Sequence, residues 1–221
     1  MNKVNAYEKG RNAMQAGDYE EALSYFREAL EIGHDHPLLY TNIGNLLERS
    51  GEYEQALSSY QRAIQLDDGQ AGAYYGAGNI SYNIERYKEA LKFYQQAEAL
   101  GMNDASLHLM IGMCEYQLGQ IPFAMARLQR VVELDPQDVE ARFYFALTLA
   151  QSQLLDEAIK EFQSVINDKE NHADAHYNLG VAYHAKAEDD KALDHFNRAL
   201  SAQPDHLLAA NGKKQVEEER K

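Results

Sequence analysis

Apolar residues along this chain recur with helical spacing rather than in alternation. In residues 173–206, Leu179 and Tyr183 lie four positions apart. A second set steps by one, three or four positions, which places its side chains on one helix face: Ala192, Leu193, Phe196, Ala199 and Leu200. No segment shows the alternation of a β-strand. The pattern predicts two helices in this segment and an all-α chain.

The same pattern returns every 34 residues. Alanine holds one repeat position at Ala22, Ala56, Ala90, Ala124, Ala158 and Ala192. Glycine holds another, with Ala146 filling the one gap, at Gly10, Gly44, Gly78, Gly112 and Gly180. Six units follow without insertion: 3–36, 37–70, 71–104, 105–138, 139–172 and 173–206. Because such units bury their apolar faces only against neighbours, the period predicts six stacked helix pairs.

The positions of glycine and proline agree with this division into repeats. Gly17, Gly51 and Gly119 mark the turn between the two helices of their units, and Pro122 falls at the start of a second helix. The tail, residues 207–221, begins with apolar residues and then becomes charged. It is predicted to form a capping helix whose apolar start covers unit six, which completes a single solenoid domain over residues 1–221.

The unit Ala173–His206 resembles the tetratricopeptide repeat, and this similarity extends over residues 3–206. It is carried by Leu179-Gly180, Tyr183, Ala192, Phe196, Ala199 and Pro204. The arrangement is similar to small cytosolic proteins of Firmicute-type bacteria built wholly from such repeats. The resemblance implies a right-handed α-α superhelical solenoid of helix-turn-helix repeats, with first helices lining a concave groove. It also implies a protein-binding or peptide-binding scaffold or adaptor rather than an enzyme.

Charge and composition narrow the possible partners. The formal net charge of −14 is spread along the chain, and no repeat carries more than three net negative charges. An acidic coat of this kind argues against nucleic acid, which is bound by clustered Lys and Arg. No apolar run reaches the length of a membrane span, and residues 1–10 lack the apolar core of a signal peptide. We therefore expect a cytoplasmic protein with no membrane or nucleic-acid partner.

Reactive residues show no catalytic or cofactor-binding spacing. Phosphate loops, nucleophile elbows and metalloprotease motifs are absent from the sequence. His36, His172 and His206 share one repeat position beside the turn between units, so they are interpreted as structural rather than metal-binding. The single cysteine, Cys114, holds a position of small or apolar residues and is expected to be buried. No catalytic residue, metal or cofactor is predicted.

The groove residues are predicted from their position on the first helices. Side chains at repeat positions 2, 5, 9 and 12 lie on one helix face, with positions 6 and 13 beside it, and this surface is called here the first-helix face. Asparagines that could bond a peptide main chain occupy it at Asn42, Asn45, Asn79 and Asn178. Apolar and aromatic side chains occupy it at Tyr75, Tyr82, Leu109, Met110, Met113, Tyr116, Phe143, Tyr144, Leu147 and Tyr177. Contiguous apolar surface of this kind predicts a contact site for a partner protein, unless superhelical curvature buries part of it.

Other readings remain open. The two-carboxylate clamp of chaperone-binding relatives is not supported, because only Asn42 fits its pattern in units one to three. Self-assembly through the apolar patch, the end units or the tail is the alternative to peptide binding, and a peptide-sensing regulator is a weaker one. Glu115 lies where an apolar side chain is usual and Arg142 replaces an aromatic, so a buried pair between them is conceivable.

Overall fold

The protein is described here from a computed structural model that covers residues 3–220, with side chains from Ala6 onward. Met1, Asn2 and Lys221, which the predicted domain includes, lie outside the described residues. Between residues 3 and 220 the chain forms thirteen α-helices and no β-strand. The prediction of an all-α chain of tandem helix pairs is confirmed. The chain divides into two compact units at the Leu107–His108 bond, and the expected single domain over residues 1–221 stays a prediction.

We number these two compact units 1 and 2, as distinct from the six 34-residue repeats. Unit 1, up to Leu107, contains three helix pairs. Each pair packs together, and the next pair packs on it. Gly17 and Gly51 have φ of +87° and +78° in the turns within the first two pairs, a left-handed conformation that favours glycine. The helices are α1 (Lys3–Ala16), α2 (Tyr19–Glu31), α3 (Pro37–Arg49), α4 (Tyr53–Leu66), α5 (Ala71–Asn83) and α6 (Tyr87–Ala99).

Unit 2 starts within the following helix, α7 (Ala105–Gln117), and continues the same pattern. Its second helix begins at Ile121 with Pro122 in the first turn, as predicted. Consecutive helices pack against one another from α8 to α13. The remaining helices are α8 (Ile121–Leu134), α9 (Val139–Gln151), α10 (Leu155–Asp168), α11 (Ala173–Ala185), α12 (Asp189–Ala202) and α13 (Leu207–Glu219).

The recurrent glycine allows the two helices of a pair to approach closely. A Cβ added at Gly44 would lie 2.7 Å from the ring of Tyr60, and one at Gly180 would lie 2.6 Å from the ring of Phe196. Both rings are almost fully buried. In the five repeats that have glycine at this position, the period of 34 therefore places a residue without a side chain on the first helix against a large side chain on the second helix.

The tail forms the predicted capping helix, but a different stripe of α13 covers the last repeat. Ala209 and Val216 are buried, and Gly212 lies against the ring of Phe196. Because steps of three and four residues turn this stripe toward α12 and α11, Leu207 and Leu208 project elsewhere. They remain 76% and 58% exposed, so within the predicted apolar start the cover comes from Ala209 and not from the two leucines.

The two unusual charged residues each have a partner in the adjacent helix of their own repeat. Arg142 donates to Glu161 Oε2 at 2.7 Å and to the carbonyl of Pro136 at 2.7 Å. Glu115, which is 6% exposed, lies 3.7 Å from Arg127 Nε. The register positions of Arg142 and Glu161 hold the polar contact between His176 and His195 in the next repeat. These charges are therefore accommodated within helix pairs.

Candidate functional site

A row of aromatic rings crosses the first-helix face of unit 2. Tyr116 of α7 meets Tyr144 of α9 edge to face, with ring centroids 5.8 Å apart. Tyr144 meets Phe143 in the same way at 5.8 Å, and Phe143 lies 4.7 Å from the ring of His172. All four side chains are partly exposed. Geometries of this kind are favourable for aromatic pairs, so the row is held in place without being buried.

A cleft of about 430 Å³ opens at one end of this row. We call it the aromatic cleft and define it by its lining residues, which are Val139, Glu140, Phe143, Tyr144, Lys169, His172 and Asp174. Its lining combines the apolar and aromatic side chains of Val139, Phe143 and Tyr144 with charges of both signs on Lys169, Glu140 and Asp174. Ligand pockets of proteins are of roughly this size or larger, about 300–1,000 Å³.

His172 has a fixed orientation in this cleft because it caps the next helix. Its Nδ1 accepts a hydrogen bond from the backbone N–H of Ala175 at 3.2 Å. Burial, together with the charge of Lys169, lowers the pKa of His172, which favours the neutral ring. A neutral ring whose Nδ1 accepts must carry its proton on Nε2. His172 therefore presents a directed N–H donor beside an aromatic wall.

Two predicted groove residues do not contribute surface. Leu109 is 8% exposed and Met113 is 5% exposed, so both are buried. They lie one helical turn apart, which means that this stripe of α7 faces into the protein. Met110, Leu147 and the other predicted apolar residues of unit 2 remain partly exposed. The apolar surface is thus smaller than the sequence indicated, as the alternative of burial by packing had allowed.

In unit 1 the predicted asparagines have partners within the fold. Tyr60 Oη lies 2.7 Å from Asn45 Oδ1 and 2.8 Å from Glu48 Oε2. A phenol has one proton, and a carboxylate can only accept it. The single phenol proton is therefore shared between two acceptors, Glu48 Oε2 and Asn45 Oδ1, and bonds one of them at a time. Asn45 thus supports a buried tyrosine, a role that its sequence position alone did not suggest.

The other asparagines follow the same tendency. Tyr94 Oη donates to Asn79 Oδ1 at 3.0 Å, which repeats the 15-residue spacing between Asn45 and Tyr60. Asn42 Nδ2 lies 3.5 Å from Tyr7 Oη, and Asn178 Nδ2 donates to the Asp174 carbonyl at 2.8 Å. Each of these amides therefore has one contact within the fold, and a ladder that bonds a peptide main chain through the remaining amide atoms stays a prediction. Tyr75, Tyr82 and Tyr177 are partly exposed on the first-helix faces of their units.

The histidines at the last repeat position have a role that was not predicted from the sequence. His36, His172 and His206 each accept a backbone N–H through Nδ1 and so begin the following helix. Asp104 and Asp138 do the same through a carboxylate oxygen at the equivalent position. The signal was present, because Asp104 and Asp138, a residue type that caps helices, occupy the same repeat position as these histidines.

The cysteine thiol is buried, and two further histidines contact each other within the fold. Cys114 is buried, and burial raises the pKa of its thiol to about 12. His176 Nδ1 lies 3.1 Å from His195 Nδ1, and its Nε2 lies 3.0 Å from the Glu170 carbonyl. Within residues 3–220, no group of three or more His, Cys, Asp or Glu is arranged to hold a metal ion. Over the same residues, no helix is long and apolar enough to cross a membrane.

Comparisons with known proteins agree with this architecture. Family models for the tetratricopeptide repeat match residues 4–69, 41–105, 85–147 and 173–206, and a model for the TPR repeat matches residues 148–187. Among curated proteins, no match is found.

Solved structures supply further similarity. YrrB, described as a TPR protein with an unusual peptide-binding site, is 42% identical over 86% of this chain and 97% of its own, with a TM-score of 0.73. MamA from Desulfovibrio magneticus RS-1 is 21% identical over 77% of this chain and 96% of its own, with a TM-score of 0.70. A chain of the APC/C hetero-tetramer Cut9–Hcn1 is 18% identical over 97% of this chain and 42% of its own, with a TM-score of 0.76. The last two likenesses concern the fold alone.

Proposed function

The chain belongs to the tetratricopeptide repeat family, and we propose that it is a non-enzymatic scaffold that binds a peptide segment of a partner protein on its first-helix face. The observation that carries this proposal is the partly exposed row Tyr116–Tyr144–Phe143 beside the aromatic cleft. The peptide-binding site described for YrrB, which is 42% identical, supports the same kind of ligand.

The chemistry of the row suits a polypeptide. Aromatic side chains provide large contact area at a low cost in conformational entropy, and they are enriched at the centres of protein interfaces. Met110 and Leu147 lie on the same face and are partly exposed, which extends the apolar contact around the rings. The buried residues Leu109 and Met113 remain in the proposed groove only as its support.

Selection from a random peptide display library tests this proposal. Peptides selected on the wild-type chain are measured against Tyr144→Ser, which removes the central ring of the row. The matched control is Phe123→Ser, which removes a ring that is 67% exposed on the second helix α8. We expect Tyr144→Ser to weaken binding at least tenfold and Phe123→Ser to leave it within twofold, with unchanged helical circular dichroism in both.

Two results would contradict the proposal. One is that no selected peptide depends on Tyr144, and the other is that both variants lose binding equally. In either case the first-helix face of unit 2 is not the contact surface.

A second candidate function is self-assembly, and one observation favours it. Leu207 and Leu208 are adjacent and exposed at the start of α13. Light scattering across a concentration series tests this function. Association that is lost in the double variant Leu207→Ser with Leu208→Ser supports it, and a monomer at every concentration excludes it.

A further inference from the structure

The aromatic cleft contains one polar group whose ligand can be specified. The Nε2–H of His172 is directed by the capping bond of Nδ1 to Ala175. In the equivalent His206, Nε2 lies 3.1 Å from Asp174 Oδ1, so that donor is used within the fold. Within the described part of the chain, His172 Nε2–H has no such acceptor. A bound ligand that supplies an acceptor here replaces water without any rearrangement of the ring.

The charged side chains of the lining indicate which kind of ligand the cleft can hold. Lys169 carries a positive charge, and Glu140 and Asp174 carry negative charges, so neither a polyanion nor a polycation is matched by the cleft. Phe143, Tyr144 and Val139 supply the apolar part of its lining, which favours an apolar group. A neutral, apolar segment is the occupant that these charges complement best.

The size of the cleft fits a side chain together with its own backbone. A volume of about 430 Å³ is near the lower end of the range for small-ligand pockets, about 300–1,000 Å³. It is enough for one large side chain and the adjoining peptide group, but a longer segment must extend along the row of rings outside it. The main-chain carbonyl is the acceptor that every such segment brings with it.

We propose that the aromatic cleft holds one large apolar side chain of the bound peptide, aromatic or long aliphatic, and that the adjoining main-chain carbonyl accepts a hydrogen bond from His172 Nε2–H. This assignment rests on the proposed function, because it names the anchor of the peptide that the first-helix face binds. The bond from His172 then fixes where the peptide backbone lies in the cleft but does not distinguish residue types. The rings distinguish an apolar side chain from a polar one.

Short capped peptides test the assignment independently of any natural partner. The probe is acetyl-Gly-Phe-Gly-amide, and its comparisons replace Phe by Ala, Glu or Lys. In an NMR titration we expect the Phe probe to shift the ring signals of Phe143 and Tyr144 and the Nε2 signal of His172. The Ala, Glu and Lys probes should bind at least tenfold more weakly. Tighter binding of the Glu or Lys probe would overturn the assignment of an apolar occupant.

The donor is tested by His172→Asp. Aspartate caps helices at the same register position in Asp104 and Asp138, so this variant retains the cap while it removes Nε2–H. The matched control is His36→Asp, the same change at the cap of α3 in unit 1. Loss of one neutral hydrogen bond should weaken the Phe probe by about fivefold or more in His172→Asp, and His36→Asp should bind as the wild type does.

An altered probe separates the hydrogen bond from the loss of the ring. An ester in place of the amide after Phe makes the carbonyl a poorer acceptor. It should weaken binding to the wild type and have no further effect on His172→Asp. Equal weakening in both proteins would contradict the bond to His172.

The two proposals fail in different ways. Binding of the selected peptides could be weakened by Tyr144→Ser but not by His172→Asp. In that case the proposal of a peptide-binding scaffold is supported and the assignment of the anchor is wrong. If no displayed peptide depends on Tyr144 but the Phe probe still titrates with the expected variants, the cleft stands and the scaffold fails.

Discussion

Removing the hydroxyl group of Tyr60 probes the network that ties α3 to α4. Tyr60 is fully buried, and its hydroxyl lies 2.8 Å from Glu48 Oε2 and 2.7 Å from Asn45 Oδ1. Burial first, and then the charge of Glu48, raise the pKa of Tyr60, so the phenol keeps its proton. Tyr60→Phe keeps the ring, which the equivalent Phe26 and Phe196 show to be compatible with the position.

The structure gives the magnitude of this change. A hydrogen bond to a charged group contributes about 1.5–3 kcal/mol to stability. The bond to Asn45 adds little, because Asn45 is exposed and can bond water instead. Glu48 is only partly buried and regains some hydration, so we expect Tyr60→Phe to lower the free energy of unfolding by about 1.5–3 kcal/mol and not more.

Urea unfolding followed by circular dichroism measures this effect, with separate fits if the two compact units unfold in separate steps. Tyr53→Phe is the control, because it makes the same chemical change at a ring that is 37% exposed, and it should change the free energy of unfolding by less than about 0.5 kcal/mol. If Tyr60→Phe costs no more than Tyr53→Phe, the buried network is not a source of stability. A double-mutant cycle with Glu48→Gln should show coupling between the two positions.

Three further predictions concern packing, pH and the tail. Ala90 is fully buried, so Ala90→Phe should overpack its seam and cost about 1–3 kcal/mol or more; an unchanged melting temperature would contradict this. Burial and the neighbouring His176 lower the pKa of His195 from 6.5 to about 4, so the folded state binds fewer protons than the unfolded one. The stability that this contributes is complete above pH 6.5 and is lost as the pH falls toward 4; the urea midpoint should decline over this range in the wild type and decline less in His195→Phe. Leu207→Ser should leave stability within about 0.5 kcal/mol, since that side chain is largely exposed, and a larger loss would mean that it covers the last repeat after all.

The repeat architecture could be predicted from sequence because every repeat contains the same packing of one helix against another. The spacing of 34 residues places Gly44 against Tyr60 and Gly180 against Phe196, and five glycines at one position leave little freedom in how the helices pair. Turn positions such as Gly51 were equally predictable, since its left-handed φ of +78° favours glycine.

The site was less predictable because exposure depends on contacts that one sequence does not specify. Leu109 and Phe143 hold the same repeat position, yet Leu109 is 8% exposed whereas Phe143 remains partly exposed beside a cleft. Asn45 looked available for a ligand, although the tyrosine 15 residues later already indicated its partner. His172 was interpreted from sequence as structural, and only the bond from Ala175 reveals where its remaining proton lies.

The most direct test of peptide binding on the first-helix face is an NMR map of the wild-type chain with a peptide selected from the display library. The account predicts that the largest signal changes lie at Tyr116, Phe143 and Tyr144, with an intermolecular contact between one apolar side chain of the peptide and these rings. Signal changes confined to the second helices, around Phe123 of α8, would contradict it.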